Sequence, residues 1–394
     1  MKVLQVIASI SKLRGGTSTA IANFSVALNR LGILTDIATT DDDGPGKHLN
    51  IDCGTFSDAF GGRLIHFRKQ TEFYSTSLPM FAWLRRQIRQ YDLVHVHGLF
   101  NFSACAAAWS AKRANVPYVL TPHGTLDRWG RENRRPHIKR FSIAMVESRI
   151  LKAASVVHFT SEIERSHAQE LRLPFQSAVI PLGVDLSKID DSVAADRPDD
   201  FPSDIGVKPT ILFFSRVDLK KGLDILLDAF RDVRTKVPEA VLAIAGDGAP
   251  DLMQSLKQRT EALGISSKVH WLGFVSGDEK SWLLKHSSLF VLPSQSENFG
   301  LAVVEAMASR LPVIVSPGVA LAELVSNSGA GEVCEANAQQ LSTAIMGWLQ
   351  NAERLRAAGE SGRQLALQEI SLGAFGKRLE KMYSNVLAAS PVPN

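Results

Sequence analysis

One rhythm constrains this chain more than any other feature. Short apolar runs of strand length alternate, from one end to the other, with longer stretches of helical periodicity. Lys2–Ser9 is followed by Ile21, Phe24, Leu28 and Leu31 at three- and four-residue spacing, with Thr17 or Ser18 as the cap and Gly32 as the stop. Asp36–Thr40, Asp92–His97, Tyr118–Thr121 and Val156–Thr160 repeat the strand signature. Helical stretches over Phe81–Arg89, Ser103–Ala114 and Phe141–Leu151 lie among them, and Ser161 caps one more. Residues 47–80 fit neither template. Residues 186–208, rich in Asp, Ser and Pro, read as a linker. The rhythm then restarts with Thr210–Phe214, a helix capped by Asp224, Ala240–Ala245, Val269–Leu272, a helix from Asp278, Leu289–Leu292 and Val313–Ser316. Helices over 338–357 and 371–388 close it. Runs apolar on both faces are parallel strands covered on both sides, and alternation with helices makes an α/β fold. The 394 residues suit two doubly wound Rossmann-like domains, 1–185 and 206–374, joined by a 186–205 linker. Ligands of such sheets gather beyond the carboxyl ends of the strands. The candidate residues of both halves lie there, which predicts a central cleft.

The densest candidate stretch is Ser294–Arg310. It follows the apolar run Leu289–Leu292, and Gly300 opens a helix that is apolar at every position from Leu301 to Ala308 except Glu305. A carboxylate in that setting needs a partner, because an unpaired buried charge costs several kcal/mol. An internal salt bridge would satisfy it, and so would a ligand. Glu297 lies just ahead, in the loop at the strand's carboxyl end, with the amides of Phe299, Gly300 and Leu301 as donors for an anionic or hydroxyl-rich ligand.

Other positions sit at equivalent places. Gly15-Gly16-Thr17 follows the first strand and opens a helix, an anion-binding geometry or a simple tight turn. Asp41-Asp42-Asp43 precedes Gly44-Pro45-Gly46 and reads as a solvated turn rather than a metal site. His95 and His97 share one side of the pleat, and His123 emerges in a turn after Tyr118–Thr121. Arg128 to Arg140 carries Arg128, Arg131, Arg134, Arg135, Lys139 and Arg140 around Trp129, a solvated helix start or a site for acidic headgroups or a phosphorylated acceptor. Arg216 and Lys221 flank a loop that runs into a helix, a chemically sensible phosphate site.

Charge is unevenly shared. Residues 1–185 carry 23 basic and 15 acidic side chains, and the remainder 21 and 25. A basic first half suits an anionic partner such as a lipid surface. Nucleic acid is not expected, since no recognised module surrounds the basic segment. Cys53, Cys105 and Cys334 lack metal or redox spacing, which suggests a reducing compartment. The apolar start, interrupted by Gln5, reads as a first strand rather than a signal peptide, and no apolar run reaches membrane-spanning length.

In this order, Gly15-Gly16-Thr17, Pro122-His123-Gly124, Arg216 with Lys221-Gly222, Gly246-Asp247-Gly248, and Glu297 eight residues before Glu305 resemble the retaining glycosyltransferases of the GT-B fold. These are the group 1, family 4-like enzymes that use nucleotide-sugar donors. The resemblance implies a catalytic set of His123, Arg216, Lys221 and Glu297. Arg216 and Lys221 would hold the donor diphosphate, Glu305 the ribose and Glu297 the transferred sugar. Gly15, Gly16, Gly246, Asn298, Phe299, Gly300 and Leu301 would complete the donor site, and His123 would line the sugar near the reacting carbon. Thr17, His97, Arg128 and Trp129 would face the acceptor. The first domain would bind acceptor and the second donor, with the helix at 375–394 packing back on the first. Transfer would retain configuration without a metal or cofactor, from a UDP- or GDP-linked hexose to a glycan or lipid-linked sugar. Exopolysaccharide, capsule and lipopolysaccharide synthesis are the implied settings, in the cytoplasm and at the inner membrane face. A nucleotide-sugar epimerase of related fold and a non-catalytic sugar-nucleotide binder are the alternatives. A dinucleotide-dependent oxidoreductase is disfavoured, because Asp251 stands where its third glycine would be.

Overall fold

The computed structural model describes residues 1–11, 16–133, 136–186, 189, 196–297 and 299–389, with the backbone alone at Trp129 and Asn133. Contacts divide the chain into two units, Met1–Gly183 with Leu372–Asn394, and Val184–Ser371.

The first unit is built on β1 (Lys2–Ile7), β2 (Leu34–Thr40), β3 (Phe56–Ala59), β4 (Gly62–Phe67), β5 (Leu93–His97), β6 (Tyr118–Thr121), β7 (Val156–Phe159) and β8 (Ser177–Val179). The sheet order is β3-β4-β2-β1-β5-β6-β7-β8. All neighbours are parallel except β3 and β4. Val3, Leu4, Val6, Val94 and Val96 are fully buried, as strands covered on both faces require. The helices are α1 (Gly16–Asn29), α2 (Leu78–Gln87), α3 (Phe102–Ala114), α4 (Arg128–Asn133), α5 (Pro136–Ser142), α6 (Ser148–Ala153) and α7 (Glu162–Gln169). A π-helical turn, Ile143–Glu147, joins α5 to α6.

Several expectations change here. Residues 47–80 contain the β3–β4 hairpin, whose two-residue turn places Phe60 at φ 53° and Gly61 at φ 76°. Positive φ at both positions matches the right-handed twist of the paired strands. Asp41 and Asp42 are buried rather than solvated. Arg68 and His48 meet Asp41 at 2.9 and 3.1 Å, and Lys69 meets Asp42 at 2.7 Å, so each buried charge has its partner. Helix α1 already begins at Gly16, so Thr17 and Ser18 lie inside it, and Ser18 Oγ donates to the Ser11 carbonyl at 2.8 Å.

The second unit contains β9 (Thr210–Phe214), β10 (Val241–Ala245), β11 (Val269–Gly273), β12 (Leu289–Leu292), β13 (Val313–Val315) and β14 (Gly331–Val333). All are parallel, in the order β11-β10-β9-β12-β13-β14. Numbered within the unit, this is the doubly wound order 3-2-1-4-5-6. Its helices are α8 (Leu223–Lys236), α9 (Pro250–Ala262), α10 (Gly277–His286), α11 (Leu301–Ala308), α12 (Ala322–Ser328), α13 (Ala338–Leu349) and α14 (Ala352–Glu369). Asp224 sits in the first turn of α8, and Gly222, at φ 67°, occupies the cap position. Part of the stretch read as a linker is packed: Phe201 and Ile205 are buried, and the Phe201 ring meets Trp282 edge-on. Residues 187, 188 and 190–195 lie outside the described set.

The last helix, α15 (Leu372–Ala389), belongs to the first unit and packs on α1. Phe375 is fully buried against Phe24, with ring centroids 4.7 Å apart. Among the described residues, no helix is long and apolar enough to cross a membrane.

Candidate active site

In the second sheet the chain runs outward in opposite directions from β9 and β12. The loops after these neighbouring strands therefore diverge and leave a crevice at their carboxyl ends. The loop after β9 carries Arg216, Lys220 and Lys221, and the loop after β12 carries Glu297. Two carbonyl contacts lock the loops together: Gln295 N donates to the Lys220 carbonyl at 2.7 Å and Ser294 Oγ at 3.0 Å. Gly222 lies so close to Pro293 that a Cβ would strike the Pro293 carbonyl oxygen. Gly246, at φ 138°, abuts the Ser215 carbonyl in the same way and brings the end of β10 against the first loop.

The outcome is a direct ion pair between Lys221 Nζ and Glu297 Oε2. The Lys221 side chain is only 7% exposed. Burial, with Lys220 and Arg216 nearby, pushes its ammonium down to about 7, and the Asp218 carboxylate works against that shift by favouring the charged form. Among the described residues, the ion-pair partner of this buried cation is a carboxylate at the sheet's switch point, an arrangement chemically suited to an anionic ligand.

The other donor-site positions are placed less uniformly. Arg216 is 66% exposed, with Asp218 at 3.7 Å. Glu305 is half-buried on α11, and Lys280 of α10 meets it at 2.9 Å. A protein cation thus already supplies the partner that its apolar surroundings demand. Gly300 adopts φ 81° at the cap position of α11, and the Phe299 ring is buried. The amides of Phe299, Gly300 and Leu301 make no hydrogen bond among the described residues and stand available as donors. Gly15 and Asn298 lie outside the described residues.

In the first unit the strand order reverses between β1 and β5. Gly16 opens α1 there, exposed, with Thr17 half-buried behind it. His97 ends β5 but lies within the core, 1% exposed, instead of at an open edge. Its Nδ1 is 3.0 Å from His123 Nε2. His123 adopts φ 53° and Gly124 φ 74°, two successive left-handed residues that need outside support. Glu164 supplies it by accepting from Gly124 N at 2.5 Å and from Thr160 N at 2.8 Å, with Ser161 Oγ capping α7 at Glu164 N. The spacing Ser161-x-x-Glu164 carries the capping-box signature, but the Glu164 carboxylate accepts from Thr160 N and Gly124 N in place of Ser161 N, so the sequence signal marks the start of α7 and not this support. Burial holds His123 down to about 3, hence neutral at pH 7.

A second chain of buried groups runs behind His97, and its direction can be deduced. The Ile180 carbonyl can only accept, so His158 Nε2, 2.8 Å away, carries the proton. Burial keeps His158 neutral, held down to about 4, so its Nδ1 accepts from Thr121 Oγ1 at 2.9 Å. Thr121 must then accept from His95 Nε2 at 2.7 Å, and His95 Nδ1 accepts from Tyr383 OH at 2.5 Å. This one-way chain joins α15 to three strands, and sequence periodicity gave no sign of His158 or Tyr383 in it.

The acceptor candidates diverge. Arg128 is exposed and ion-paired with Glu170, which also meets Arg131 at 2.7 Å. Only the backbone of Trp129 is described, and Arg134 and Arg135 lie outside the described residues.

Two parallel doubly wound sheets, each with its candidate groups at a switch point, define a chain of the GT-B class. Family models agree. Residues 198–365 match glycosyl transferases group 1, and residues 14–188 match glycosyltransferase family 4. The chain belongs to the group 1 glycosyltransferases. It is similar to the alpha-monoglucosyldiacylglycerol synthase of Streptococcus pneumoniae, 26% identical over 80% of this chain and 74% of that protein. It is also similar to the GDP-mannose:cellobiosyl-diphosphopolyprenol alpha-mannosyltransferase of Xanthomonas campestris, 27% identical over 75% of this chain and 70% of that one. Among solved structures, sucrose-phosphate synthase of Thermosynechococcus elongatus superimposes with a TM-score of 0.77 at 21% identity, over 99% of this chain and 100% of that one. HepE of Anabaena, solved with UDP and glucose, gives 0.73 at 19% identity, over 98% and 100%.

Proposed function

We propose that this glycosyltransferase moves a hexosyl unit, with retention, from a UDP- or GDP-linked donor to a glycan or lipid-linked sugar. The observation that carries this reading is the buried Lys221 paired with Glu297 at the switch point of the second sheet. On donor binding, Lys221 turns to the diphosphate with Arg216 beside it, and their fixed charge lowers the barrier to departure of the nucleotide diphosphate. Glu297, released from Lys221, takes hydroxyls of the transferred sugar, helped by the amides at 299–301, and Glu305 takes the ribose. Positive character at the anomeric carbon is met by same-face attack of the acceptor, with the leaving phosphate accepting its proton. The second unit is the donor module and the first the acceptor module. Cationic side chains fill the place that a divalent ion takes in other transferases, and no cofactor takes part.

A lipid-linked acceptor fits the two relatives named above, whose names give a diacylglycerol and a diphosphopolyprenol product or substrate. It also fits the surface of the first unit, where Ile138, Phe141 and Met145 are exposed close in sequence to Lys139, Arg140 and Arg149, and Phe73 is exposed next to Tyr74, whose hydroxyl meets Ser142. Apolar side chains among cations suit an anionic membrane surface. Synthesis of a bacterial exopolysaccharide, capsule or lipopolysaccharide at the inner membrane face is the setting we infer.

Thermal-shift screening against UDP-, GDP- and ADP-sugars tests the donor, since a bound ligand raises the melting temperature by mass action. Nucleotide release only in the presence of acceptor, with an axial-to-axial product by NMR, supports retaining transfer. A converted donor without acceptor would instead support an epimerase. Salt-sensitive flotation with anionic liposomes tests the membrane surface, and absence of binding removes it.

A further inference from the structure

His97 and His123 form a pair that the one-way chain behind them does not include. Each is neutral, so the bond between His97 Nδ1 and His123 Nε2, 3.0 Å long, contains one proton that belongs to one ring or the other. The two choices have different consequences. If His123 Nε2 is the donor, His97 must carry its own proton on Nε2. That atom is buried with no hydrogen-bond partner, so an N–H would be stranded there. If His97 Nδ1 is the donor, the same Nε2 is a bare lone pair. Buried N–H groups without an acceptor are rarer in proteins than under-used acceptors. The second arrangement is therefore the stable one. It leaves His123 with its proton on Nδ1, and that nitrogen has no partner among the described residues and is not buried away from solvent.

We propose that His97 is a positioning residue: through its Nδ1–H it fixes His123 as the Nδ1–H tautomer, so that His123 presents a hydrogen-bond donor outward to an oxygen of the bound substrate. Free imidazole favours the opposite tautomer, and so His97 imposes a choice that His123 would not make alone. The ring stacking of His97 between His95, at 4.2 Å, and His123, at 5.2 Å, with Phe24 edge-on at 4.9 Å, leaves the ring little room to flip and reverse the arrangement. The ligand oxygen is a sugar oxygen only if the glycosyl-transfer reading holds; the tautomer does not depend on it.

The experiment is long-range proton–nitrogen NMR on the full chain labelled with nitrogen-15 histidine, with His123 assigned by its loss in His123→Gln. The expected spectrum shows His123 protonated at Nδ1 and bare at Nε2 at pH 7.5. Protonation at Nε2 in the unaltered protein overturns the proposal without recourse to any variant. In His97→Leu, His123 should shift towards the Nε2–H tautomer, whereas His97→Asn, whose amide nitrogen stands close to the Nδ1 position, should keep the original state. An unchanged tautomer in a folded His97→Leu also overturns it. With the donor found by thermal shift, kcat should fall about 10-fold in His97→Leu, the worth of roughly one hydrogen bond, and stay within about 3-fold in His97→Asn. Equal losses in both variants assign His97 to packing alone and overturn the proposal. If no nucleotide sugar is turned over, the glycosyl-transfer reading fails by itself, and the NMR spectra still decide the role of His97.

Discussion

At the residue scale, the proposed donor site rests on Lys221, Arg216, Glu297 and Glu305. Lys221→Met keeps most of the buried stem but removes the charge proposed to meet the leaving diphosphate. Turnover should fall by about 100-fold or more, the range seen when a preorganised electrostatic contact is lost. Steady-state kinetics with a folded variant checks this, and near-normal rates would remove Lys221 from the role. Glu305 poses a sharper question because Lys280 already satisfies it. If Glu305 only serves that pair, Glu305→Gln and Lys280→Met should have equal effects. If it holds the ribose, Glu305→Gln should raise the donor KM by about 10-fold, and Lys280→Met should raise it much less. The need for a partner at Glu305 was legible, because one carboxylate interrupts an apolar helix. The identity of the partner was not, since Lys280 arrives from another helix 25 residues earlier.

At the scale of elements, glycines decide how closely the loops approach. Gly222 combines φ 67° with the Pro293 carbonyl at its α-carbon, so Gly222→Ala should destabilise the chain by about 2–4 kcal/mol and weaken donor binding. Gly264 has the same φ of 67° but open space around it. Gly264→Ala should cost about 1 kcal/mol, the left-handed strain alone. Urea denaturation of the pair separates close approach from backbone strain. Strand and helix positions were readable because period and turn residues are local properties. Helix starts were read less well. Thr17, Ser18 and Asp224 looked like caps, yet α1 begins at Gly16 and Gly222 occupies the cap of α8, where a Cβ would strike the Pro293 carbonyl.

At the scale of the molecule, the first unit holds most of the buried histidine. Unfolded histidine titrates near 6.5, whereas His158 is held to about 4, His123 to about 3, and His95 and His97 lie well below the usual value. Below pH 6.5 the unfolded chain therefore binds more protons, and stability falls as pH drops, by ~1.4 kcal/mol per pH unit for each histidine. Glu147 and Glu164, raised by burial, act in the opposite sense above their ordinary value of 4.5 and offset part of the loss. Hydrogen exchange at pH 7.5 and 5.0 should show protection lost in Met1–Gly183 and retained in Val184–Ser371. Equal loss in both would refute the assignment. Truncation before Leu372 should act on the same unit, because it strips Phe375, Leu379 and Tyr383, all fully buried, from a core completed only by the end of the chain. Limited proteolysis should then cut the first unit selectively.

Two largely parallel sheets, the loops that carry Lys221 and Glu297, and the family were legible from the chain alone, because strand period, turn chemistry and motif order are written in neighbouring residues. Tertiary structure alone decided which charges meet. Lys221 with Glu297, Lys280 with Glu305, and Tyr383 at the head of a histidine chain are contacts across 25 to 288 positions. Burial lowers the pKa of Lys221 and His95 and raises that of Tyr383, and burial exists only once distant segments have closed over one another.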